Sequence, residues 1–378
     1  GCCSGTGRQI GRHVMMTFRK LSADGAGKLI MAYLREHQMD AAPGAEVSPD
    51  SGQEKGGRLN NYYTGREGRG DWGPGIGPLA ARALGIDLTA PPSDEALCNL
   101  FEAKRADTGE EWHDIEGDKT ARQAGRKAGG RKRSISGFDF TASPDKSVTL
   151  AAEFASTKAE QALIWHAIHT ANDRALGLIA AELGWARRMV DGVQLEELGE
   201  VGWVSFRHYA ARPAMQIQDG ASGPTASVEI PVPGDPQAHI HNILLNMVAT
   251  ADGHVGSLDS ARITKTMPHI FGAYFQAQLA QLLRELGIKV SMDARGRAIV
   301  IDDIPKEVCE AFSKRSKQAE KQAKAFVARQ GGDWKTMSAD QKFKVLHQAN
   351  LAYRAKKYTG SNDREIWREQ AEELGWKH

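Results

Sequence analysis

The sequence predicts an α+β protein in which a central antiparallel sheet is flanked by helices and followed by a helical C-terminal extension. Three observations carry this prediction. Segments with strand-like alternation are interspersed with segments that have helical spacing. A hairpin pattern surrounds the turn at 293–296. Beyond Pro305 the chain is rich in Lys and Glu and has the character of helices.

Local patterns place the elements in order. The expected strands are 15–22, 133–142, 200–208, 238–250 and the hairpin 288–304. The expected helices are 25–37, 77–87, 93–106, 157–185 and 269–287. Ser93 is the expected cap of one helix, and Thr157 followed by Glu160 forms a capping-box signature at the start of another. Residues 38–58 are rich in Gly, Pro and Ser, which predicts a loop or linker.

Length and composition bound the class of protein. A chain of 378 residues with 41% hydrophobic and 25% charged residues suits one large globular domain with appendages, or two domains. We expect a leader or added extension over 1–14, the main domain over 15–304, and a helical extension over 305–378.

Several classes are disfavoured by what the sequence contains. No apolar run approaches the roughly 20 residues of a membrane-spanning helix, so no membrane insertion is expected. The four cysteines have no zinc or disulfide spacing, which favours a reducing cytoplasm. The formal net charge of +2 is nearly neutral, so a nucleic-acid surface would have to be local.

The pair His239 and His241 is the sharpest chemical feature. On a strand, residues two apart share a face, so both imidazoles point the same way. If 200–208 pairs with 238–250, His208 joins them, and three imidazoles can bind one divalent metal ion. Mg, Mn, Zn, Co and Ni are not distinguished by this ligand set. The alternative is that the His-X-His pattern is structural.

Asp139 lies between two phenylalanines in an expected strand, so its carboxylate is unusual there. Histidine ligands commonly donate their second N–H to a carboxylate or a carbonyl. We therefore expect Asp139 to support the histidine cluster. The alternative is a buried acid satisfied by backbone donors of the following turn.

Tyrosines near the N-terminus complete a candidate reaction centre: Tyr33, Tyr62 and Tyr63. A tyrosine hydroxyl, with a pKa of about 10, is a weak nucleophile at neutral pH. A metal ion on the target phosphate compensates by stabilising the charge that develops during displacement. Attack on a DNA phosphodiester would leave a covalent phosphotyrosine that keeps the bond available for rejoining.

A basic run precedes the strand that carries Asp139, and one lysine follows that strand. These candidates for binding the DNA backbone are Arg122, Arg126, Lys127, Arg131, Lys132 and Lys146. The alternative for each is a solvated loop position.

Five segments together resemble one family. They are "GFDFTASPDKSV", "FRH", "DPQAHIHNILLNMV", "DGHVGSLD" and "REIWREQAEELGW". In this order they resemble the relaxases of conjugative plasmids of the MobF (TrwC- and TraI-like) group, within the HUH endonuclease superfamily. The similarity runs from about Met15 to the C-terminus.

The resemblance implies a relaxase-like palm with His208, His239 and His241 as metal ligands and Asp139 as the acid beside them. The main domain, 15–304, would be the catalytic domain, and 305–378 would be suited to clamping DNA. The family has two tyrosine pairs. Tyr62 and Tyr63 match the second, whereas Tyr33 alone represents the first. We favour Tyr33 as the cleaving residue and keep the other two as alternatives.

The resemblance also implies the activity and the partners. The enzyme would nick single-stranded DNA at a plasmid transfer origin, with or without an adjacent hairpin, form a covalent 5′-phosphotyrosine and later religate the strand. An accessory relaxosome protein and a type IV secretion coupling protein are the expected protein partners. The expected location is the cytoplasm, with translocation into the recipient cell as a further possibility.

The sequence leaves three other functional hypotheses open. A rolling-circle replication initiator would share the chemistry but would place its tyrosine after the histidines, where Tyr353 and Tyr358 are the candidates. A tri-histidine metallohydrolase would attack with metal-bound water and need no tyrosine. A non-enzymatic DNA-binding module would use the metal ion only to stabilise its fold.

Overall fold

The computed structural model describes twelve segments: 16–22, 30–31, 70–110, 135–191, 193–211, 216–218, 226–228, 234–294, 296–338, 341–342, 344–346 and 363–377. The strands in these segments are β1 Met16–Ser22, β2 Asp71–Trp72, β3 Ile135–Ala142, β4 Trp185–Val190, β5 Val193–Ala210, β6 Gln216–Gln218, β7 Ala226–Val228, β8 Pro236–Thr250, β9 Val255–Leu258, β10 Val290–Met292 and β11 Ile299–Ile301. The helices are α1 Pro78–Leu84, α2 Asp94–Phe101, α3 Lys146–Glu153, α4 Lys158–Leu183, α5 Met267–Glu285, α6 Lys306–Ala311, α7 Lys314–Arg329 and α8 Asp363–Glu373.

Among the described segments, the main sheet has seven strands in the order β1-β3-β8-β9-β4-β5-β2, and β8 also pairs with β5. Strand β1 pairs antiparallel with β3, and β3 pairs antiparallel with β8. Contacts between β5 and β8 run in opposite directions: Ser205 meets Asn242, and three residues later His208 meets His239. Strand β5 therefore lies antiparallel beside β8, which is the pairing that a three-histidine site requires.

Helices α4 and α5 pack against the sheet on the face opposite the histidines. Asn172 of α4 exchanges hydrogen bonds with Asn242 of β8. Phe271 of α5 contacts Phe140 of β3 edge to face, with ring centroids 6.4 Å apart. The side chains of Phe140 and Asn242 alternate along their strands with Asp139 and His241, so this face and the histidine face are separate. The predicted α+β class with an antiparallel sheet is confirmed.

Local capping signals fix where the helices begin. The Ser93 side chain accepts a hydrogen bond from the backbone N–H of Ala96 at the start of α2, as expected. At the start of α4, Thr157 accepts from the N–H of Glu160 over 3.1 Å. The Glu160 carboxylate in turn accepts from the N–H of Ser156 rather than from that of the cap residue.

Three strands of the sheet, β2, β4 and β9, were not predicted from the sequence. The predicted helix 157–185 ends earlier, at Leu183, and Trp185 opens β4 instead. Strands β4 and β5 are joined at Asp191, whose φ of 49° lies in the left-handed region. An Asp-Gly pair between apolar residues is a hairpin signal, and it should have predicted this connection. Strand β9 is only four residues long, and no strand was expected in its segment.

Other expectations are met in part. The hairpin 288–304 forms from β10 and β11, with Gly296 at a φ of 66° in the turn. The C-terminal extension contains α6, α7 and α8, as expected from its composition. Of the predicted helix 25–37, only residues 30–31 lie within the described segments, and they are helical.

The chain divides into two compact units. One consists of Met15–Tyr209 with Gln237–Asp303 and contains the main sheet. The described part of the other comes from 210–236 and 304–378. Within that unit, the Trp367 indole N–H donates to the carbonyl of Gly234, and Asp235 accepts from the backbone N–H of Lys314. The functional division between residues 304 and 305 stays a prediction.

Across the described segments, no helix combines the length and apolar character needed to cross a bilayer.

Candidate metal centre

Three imidazoles converge on the face of the sheet opposite α4 and α5. His208 comes from β5, and His239 and His241 come from β8. Their candidate ligand atoms all lie within 4.8 Å of one another. The ring centroid of His208 lies 4.9 Å from that of each of the other two histidines. This is the cluster that strand alternation predicted, and it is the one such group of histidine, cysteine and acidic residues among the described segments.

Two of the imidazoles are oriented by hydrogen bonds at Nδ1. Nδ1 of His241 lies 2.8 Å from Oδ2 of Asp139. Nδ1 of His239 lies 3.0 Å from the backbone carbonyl of Gln237. Because both acceptors require a proton on Nδ1, each ring presents Nε2 as a lone-pair donor. This is the arrangement of a metal-ligating histidine with its second nitrogen held from behind.

The spacing between imidazoles fits a shared metal ion. Nδ1 of His208 lies 3.2 Å from Nε2 of His239. Two nitrogens bound at about 2.1 Å to one ion, at angles from 90° to tetrahedral, lie roughly 3.0–3.4 Å apart. The observed separation falls in this range. The residues present therefore suit one divalent cation, and the ligand set of three imidazoles does not distinguish among the candidate metals.

Asp139 is buried near the middle of strand β3, with 2% of its surface exposed. Its Oδ1 accepts a hydrogen bond from the hydroxyl of Thr141 over 3.1 Å, and Oδ2 faces His241. Thr141 also lies 3.0 Å from Nδ1 of His241. The expected placement beside the histidines is therefore observed. The catalytic role of Asp139 stays a proposal.

A buried amide network lies directly behind the metal face. Asn242, which follows His241, exchanges two hydrogen bonds with Asn172 of α4 at 3.0 and 2.8 Å. Its Oδ1 also accepts from the Ser205 hydroxyl of β5 over 2.7 Å, and its Nδ2 donates to the carbonyl of Phe140 over 2.9 Å. The Asn242 side chain therefore links β5 and β8, which carry the histidines, to strand β3 and to helix α4.

The start of β8 is held in a similar way. The backbone N–H of Ala238 donates to the hydroxyl of Thr149 over 3.1 Å, and Thr149 is fully buried in α3. The side-chain amide of Gln237 donates to the carbonyl of Pro144 over 3.3 Å. These bonds fix the two residues that immediately precede His239.

Strand β2 lies against β5 close to His208. Asp71 is opposite Ser205 and Trp72 is opposite Val204. Gly70, at a φ of 79°, approaches so closely that a Cβ there would lie 2.8 Å from Val204 and 3.1 Å from Phe206. Any larger residue at Gly70 would meet both strain and a clash. The chain that follows Tyr62 and Tyr63 thus joins the sheet beside the strand that carries His208.

Titratable groups of α4 lie on the opposite face of the sheet. The pKa of His169 is lowered to about 3, first because burial disfavours the imidazolium and then because Arg207 and His166 add positive charge. Burial raises the pKa of Asp173, against the opposing effect of Arg207. His169 is therefore neutral at physiological pH.

Several sequence-predicted residues lie outside the described segments. They are Tyr33, Tyr62, Tyr63, Arg122, Arg126, Lys127, Arg131 and Lys132. Lys146 is described and follows the strand that carries Asp139, as expected. It is the first residue of α3, because the Asp145 carboxylate caps that helix by accepting from the N–H of Ser147.

The supporting residues that were not predicted include Thr141, Gln237 and Asn242. Thr141 and Gln237 each lie two positions from a predicted site residue, so the same alternation that placed the histidines could have identified Thr141. Gln237 acts through its backbone carbonyl, which leaves no side-chain signal. Asn242 bonds to Asn172 across 70 positions of sequence, and no local pattern indicates that contact.

Comparisons with known proteins agree with this arrangement. A family model described as TrwC relaxase matches residues 29–374. A comparison with curated proteins found no match. Among solved structures, a metal-bound complex of the conjugative relaxase TrwC with oriT DNA has 23% identity and a TM-score of 0.63, and covers 95% of this chain and 98% of its own.

Two further solved structures are similar. TrwC complexed with a 27-mer DNA comprising the recognition hairpin and the cleavage site has 22% identity and a TM-score of 0.62, covering 95% of this chain and 98% of its own. TrwC in complex with mutant oriT DNA has 26% identity and a TM-score of 0.59, covering 84% of this chain and 94% of its own. The shared fold therefore spans nearly the whole chain.

Proposed function

The chain belongs to the TrwC relaxase family, and from this premise we propose that it nicks one DNA strand at a plasmid transfer origin through a tyrosine and later reseals it. The single observation that carries the proposal is the histidine centre backed by Asp139 on adjacent strands of the sheet. A binding module that used the metal ion only for stability would not require a buried acid behind one of the three imidazoles.

The chemistry is a transesterification. The tyrosine hydroxyl loses its proton as its oxygen forms a bond to the scissile phosphorus. The bond from phosphorus to the 3′ oxygen breaks, and that oxygen takes up a proton to become a free 3′ hydroxyl. The 5′ phosphate stays esterified to the tyrosine, and the reverse reaction reseals the strand.

The protein contributes a preorganised environment for this step. A divalent ion held by the three imidazoles supplies Lewis-acid polarisation of a non-bridging phosphate oxygen. Asp139 keeps His241 in the tautomer that presents Nε2, and Gln237 does the same for His239. Because Asn242 and Thr149 fix the strand on both sides of these ligands, little reorganisation accompanies the reaction.

We propose Tyr33 as the nucleophile of the first cleavage, with Tyr62 or Tyr63 as the alternative. The family resemblance supports Tyr33 by position in the first tyrosine pair. The close packing of Gly70 on Val204 and Phe206 supports the alternative, since the segment carrying the second pair continues into β2 beside β5.

The substrate is proposed to be single-stranded DNA at the origin with an adjacent hairpin. The support comes from similar proteins that are described in complex with oriT DNA and with a recognition hairpin. Arg122, Arg126, Lys127, Arg131 and Lys132 remain candidates for contacting the phosphate backbone, together with Lys146 at the start of α3.

An accessory relaxosome protein would help to open the duplex. A type IV secretion coupling protein would receive the covalent complex from the cytoplasm and pass it to the recipient cell.

Adduct mapping tests the proposal. The intact protein is incubated with Mn²⁺ and single-stranded oligonucleotides that tile the plasmid's candidate transfer origin, and the modified peptide is identified by mass spectrometry. Tyr33→Phe and the double variant Tyr62→Phe with Tyr63→Phe are compared with Tyr274→Phe, a matched control on α5.

Each outcome has a defined meaning. Loss of the adduct in Tyr33→Phe alone identifies Tyr33, whereas loss in the double variant alone keeps the reaction and changes the nucleophile. Cleavage without any adduct would indicate attack by metal-bound water and overturn the proposal. An adduct on Tyr353 or Tyr358 would instead favour a rolling-circle initiator.

A further inference from the structure

We propose that Thr17 and Arg19 of strand β1 form a binding site for a DNA backbone phosphate beside the metal centre. The inference rests on the proposed function and deepens it, because it assigns a substrate contact to the edge of the same sheet face. The chemical class of ligand is a phosphodiester anion next to the one that is cleaved.

The register of the sheet carries the inference. Thr17 is the cross-strand partner of Thr141, and Thr141 is the partner of His241. Arg19 is the cross-strand partner of Asp139. Directly opposed residues of an antiparallel pair project from the same face, with Cβ atoms about 5 Å apart. Thr17 and Arg19 therefore share the face of Asp139 and the histidines.

The alternating residues of β1 confirm which face is which. Phe18 stacks on Phe138 at 6.0 Å and contacts Phe140 at 5.1 Å. Phe140 in turn contacts Phe271 of α5, so Phe18 belongs to the helix-covered face. Arg19, its neighbour, must project from the other side.

Position and exposure suit a contact with the substrate. Within the described segments, strand β1 lies at one edge of the sheet, and Thr17 and Arg19 are both exposed. Arg19 and His241 are separated by two inter-strand spacings across the sheet and by two residues along the strand direction. Their Cα atoms therefore lie about 12 Å apart. A long guanidinium at this distance reaches a phosphate neighbouring the one at the histidines rather than the same one. Arginine and threonine are among the side chains that commonly contact DNA phosphates.

Electrostatics gives Arg19 a specific task. Asp139 places a buried carboxylate directly under this part of the face, and a DNA strand crossing the face brings further negative charge. A cation on the neighbouring strand offsets that repulsion where the DNA passes Asp139. Charged residues on an edge strand also prevent sheets from pairing edge to edge. Lys20 on the same strand would prevent edge-to-edge pairing equally well, but its side chain projects from the other face of the sheet. Lys20 is therefore the matched control for Arg19.

The test measures binding of a fluorescent single-stranded origin oligonucleotide to the intact protein over a series of salt concentrations. Arg19→Ala is expected to weaken binding about 10-fold and to lower the slope of log affinity against log salt by roughly 1. Lys20→Ala is expected to match the wild type in both quantities. Thr17→Val is expected to weaken binding less than Arg19→Ala.

A phosphate scan locates the contact. Single phosphates of the oligonucleotide are replaced one at a time by neutral methylphosphonates. One replacement close to the cleavage site should weaken binding by the wild type and have no further effect on Arg19→Ala. Unchanged affinity, slope and scan in Arg19→Ala, with a wild type that binds and forms the adduct, would overturn this inference and leave the proposed function standing. A wild type that neither binds nor forms the adduct would overturn the proposed function instead.

Discussion

Oδ2 of Asp139 lies 2.8 Å from Nδ1 of His241, and this contact joins the strand that carries the acid to the strand that carries two of the three imidazoles. Only 2% of the Asp139 surface is exposed, so the carboxylate is held away from water. The contact fixes the His241 tautomer and directs Nε2 toward the other two histidines. A small change at Asp139 should therefore act through the metal centre.

Asp139→Asn should preserve the fold and weaken the metal centre. The asparagine Oδ1 can still accept a hydrogen bond from Nδ1, but the negative charge that makes the imidazole a better ligand is lost. We expect metal affinity to fall about 10- to 100-fold, with slower adduct formation under single-turnover conditions. Calorimetric titration with Mn²⁺ and quenched-flow gels measure the two quantities. Asp303→Asn, at an exposed position, is the control. Unchanged affinity and rate would make Asp139 a purely structural acid.

Replacing both His239 and His241 by alanine should abolish divalent-ion binding. One imidazole remains, and a single neutral nitrogen on a sheet face does not hold a divalent ion at micromolar concentration. Metal content after dialysis against Mn²⁺ or Zn²⁺, measured by mass spectrometry, should fall from one equivalent to near zero. His166→Ala, on the exposed side of α4, should keep the full equivalent. A full equivalent in the double variant would show that the ion binds elsewhere.

Asn242→Ala should destabilise the protein through the amide network. Removing this side chain leaves the buried amide of Asn172 and the hydroxyl of Ser205 without this hydrogen-bond partner. Each loss costs about 1–3 kcal/mol of unfolding free energy. Urea denaturation measures the loss of unfolding free energy. Because the two asparagines bond to each other, Asn172→Ala combined with Asn242→Ala should cost less than the sum of the single variants. Strict additivity would mean that the amide pair contributes nothing.

His169 should make the protein less stable in acid. Its pKa is lowered to about 3 in the folded state, against 6.5 as the ordinary value, so the unfolded chain binds more protons between these limits. Above pH 6.5 this group does not lower the free energy of unfolding, and below pH 6.5 it lowers that free energy progressively as the pH falls toward 3. His169→Gln removes the titration, so its urea midpoint should fall less than that of the wild type between pH 7 and pH 4.5. Parallel falls in both proteins would contradict this account.

The parts of the site that the sequence predicted are those that follow from short-range alternation. His239 and His241 share a face because they are two apart on one strand, and Asp139 stands out as an acid in an apolar strand. The pairing of β5 with β8 brought His208 to them because antiparallel neighbours in the chain commonly pair. Each of these inferences needed only one strand or one neighbouring pair.

The parts that were missed depend on distant contacts or on weak local signals. Strand β4 contains Arg187 and Arg188 and directly follows a long helix, so its apolar pattern is poor. Strand β9 is too short to show a period, and its place in the sheet is set by pairing with β4 and β8. The amide pair of Asn172 and Asn242 exists only after α4 has packed on the sheet.

The most direct test of the central claim is the fate of a single-stranded origin oligonucleotide labelled with different dyes at its two ends. We predict that, with Mn²⁺, the 3′-labelled fragment migrates with the protein on a denaturing gel, and the 5′-labelled fragment is released with a free 3′ hydroxyl. The double variant of His239 and His241 should give neither product. Release of both fragments free of protein, or unchanged cleavage in that variant, would contradict a tyrosine transesterification that depends on the histidine centre.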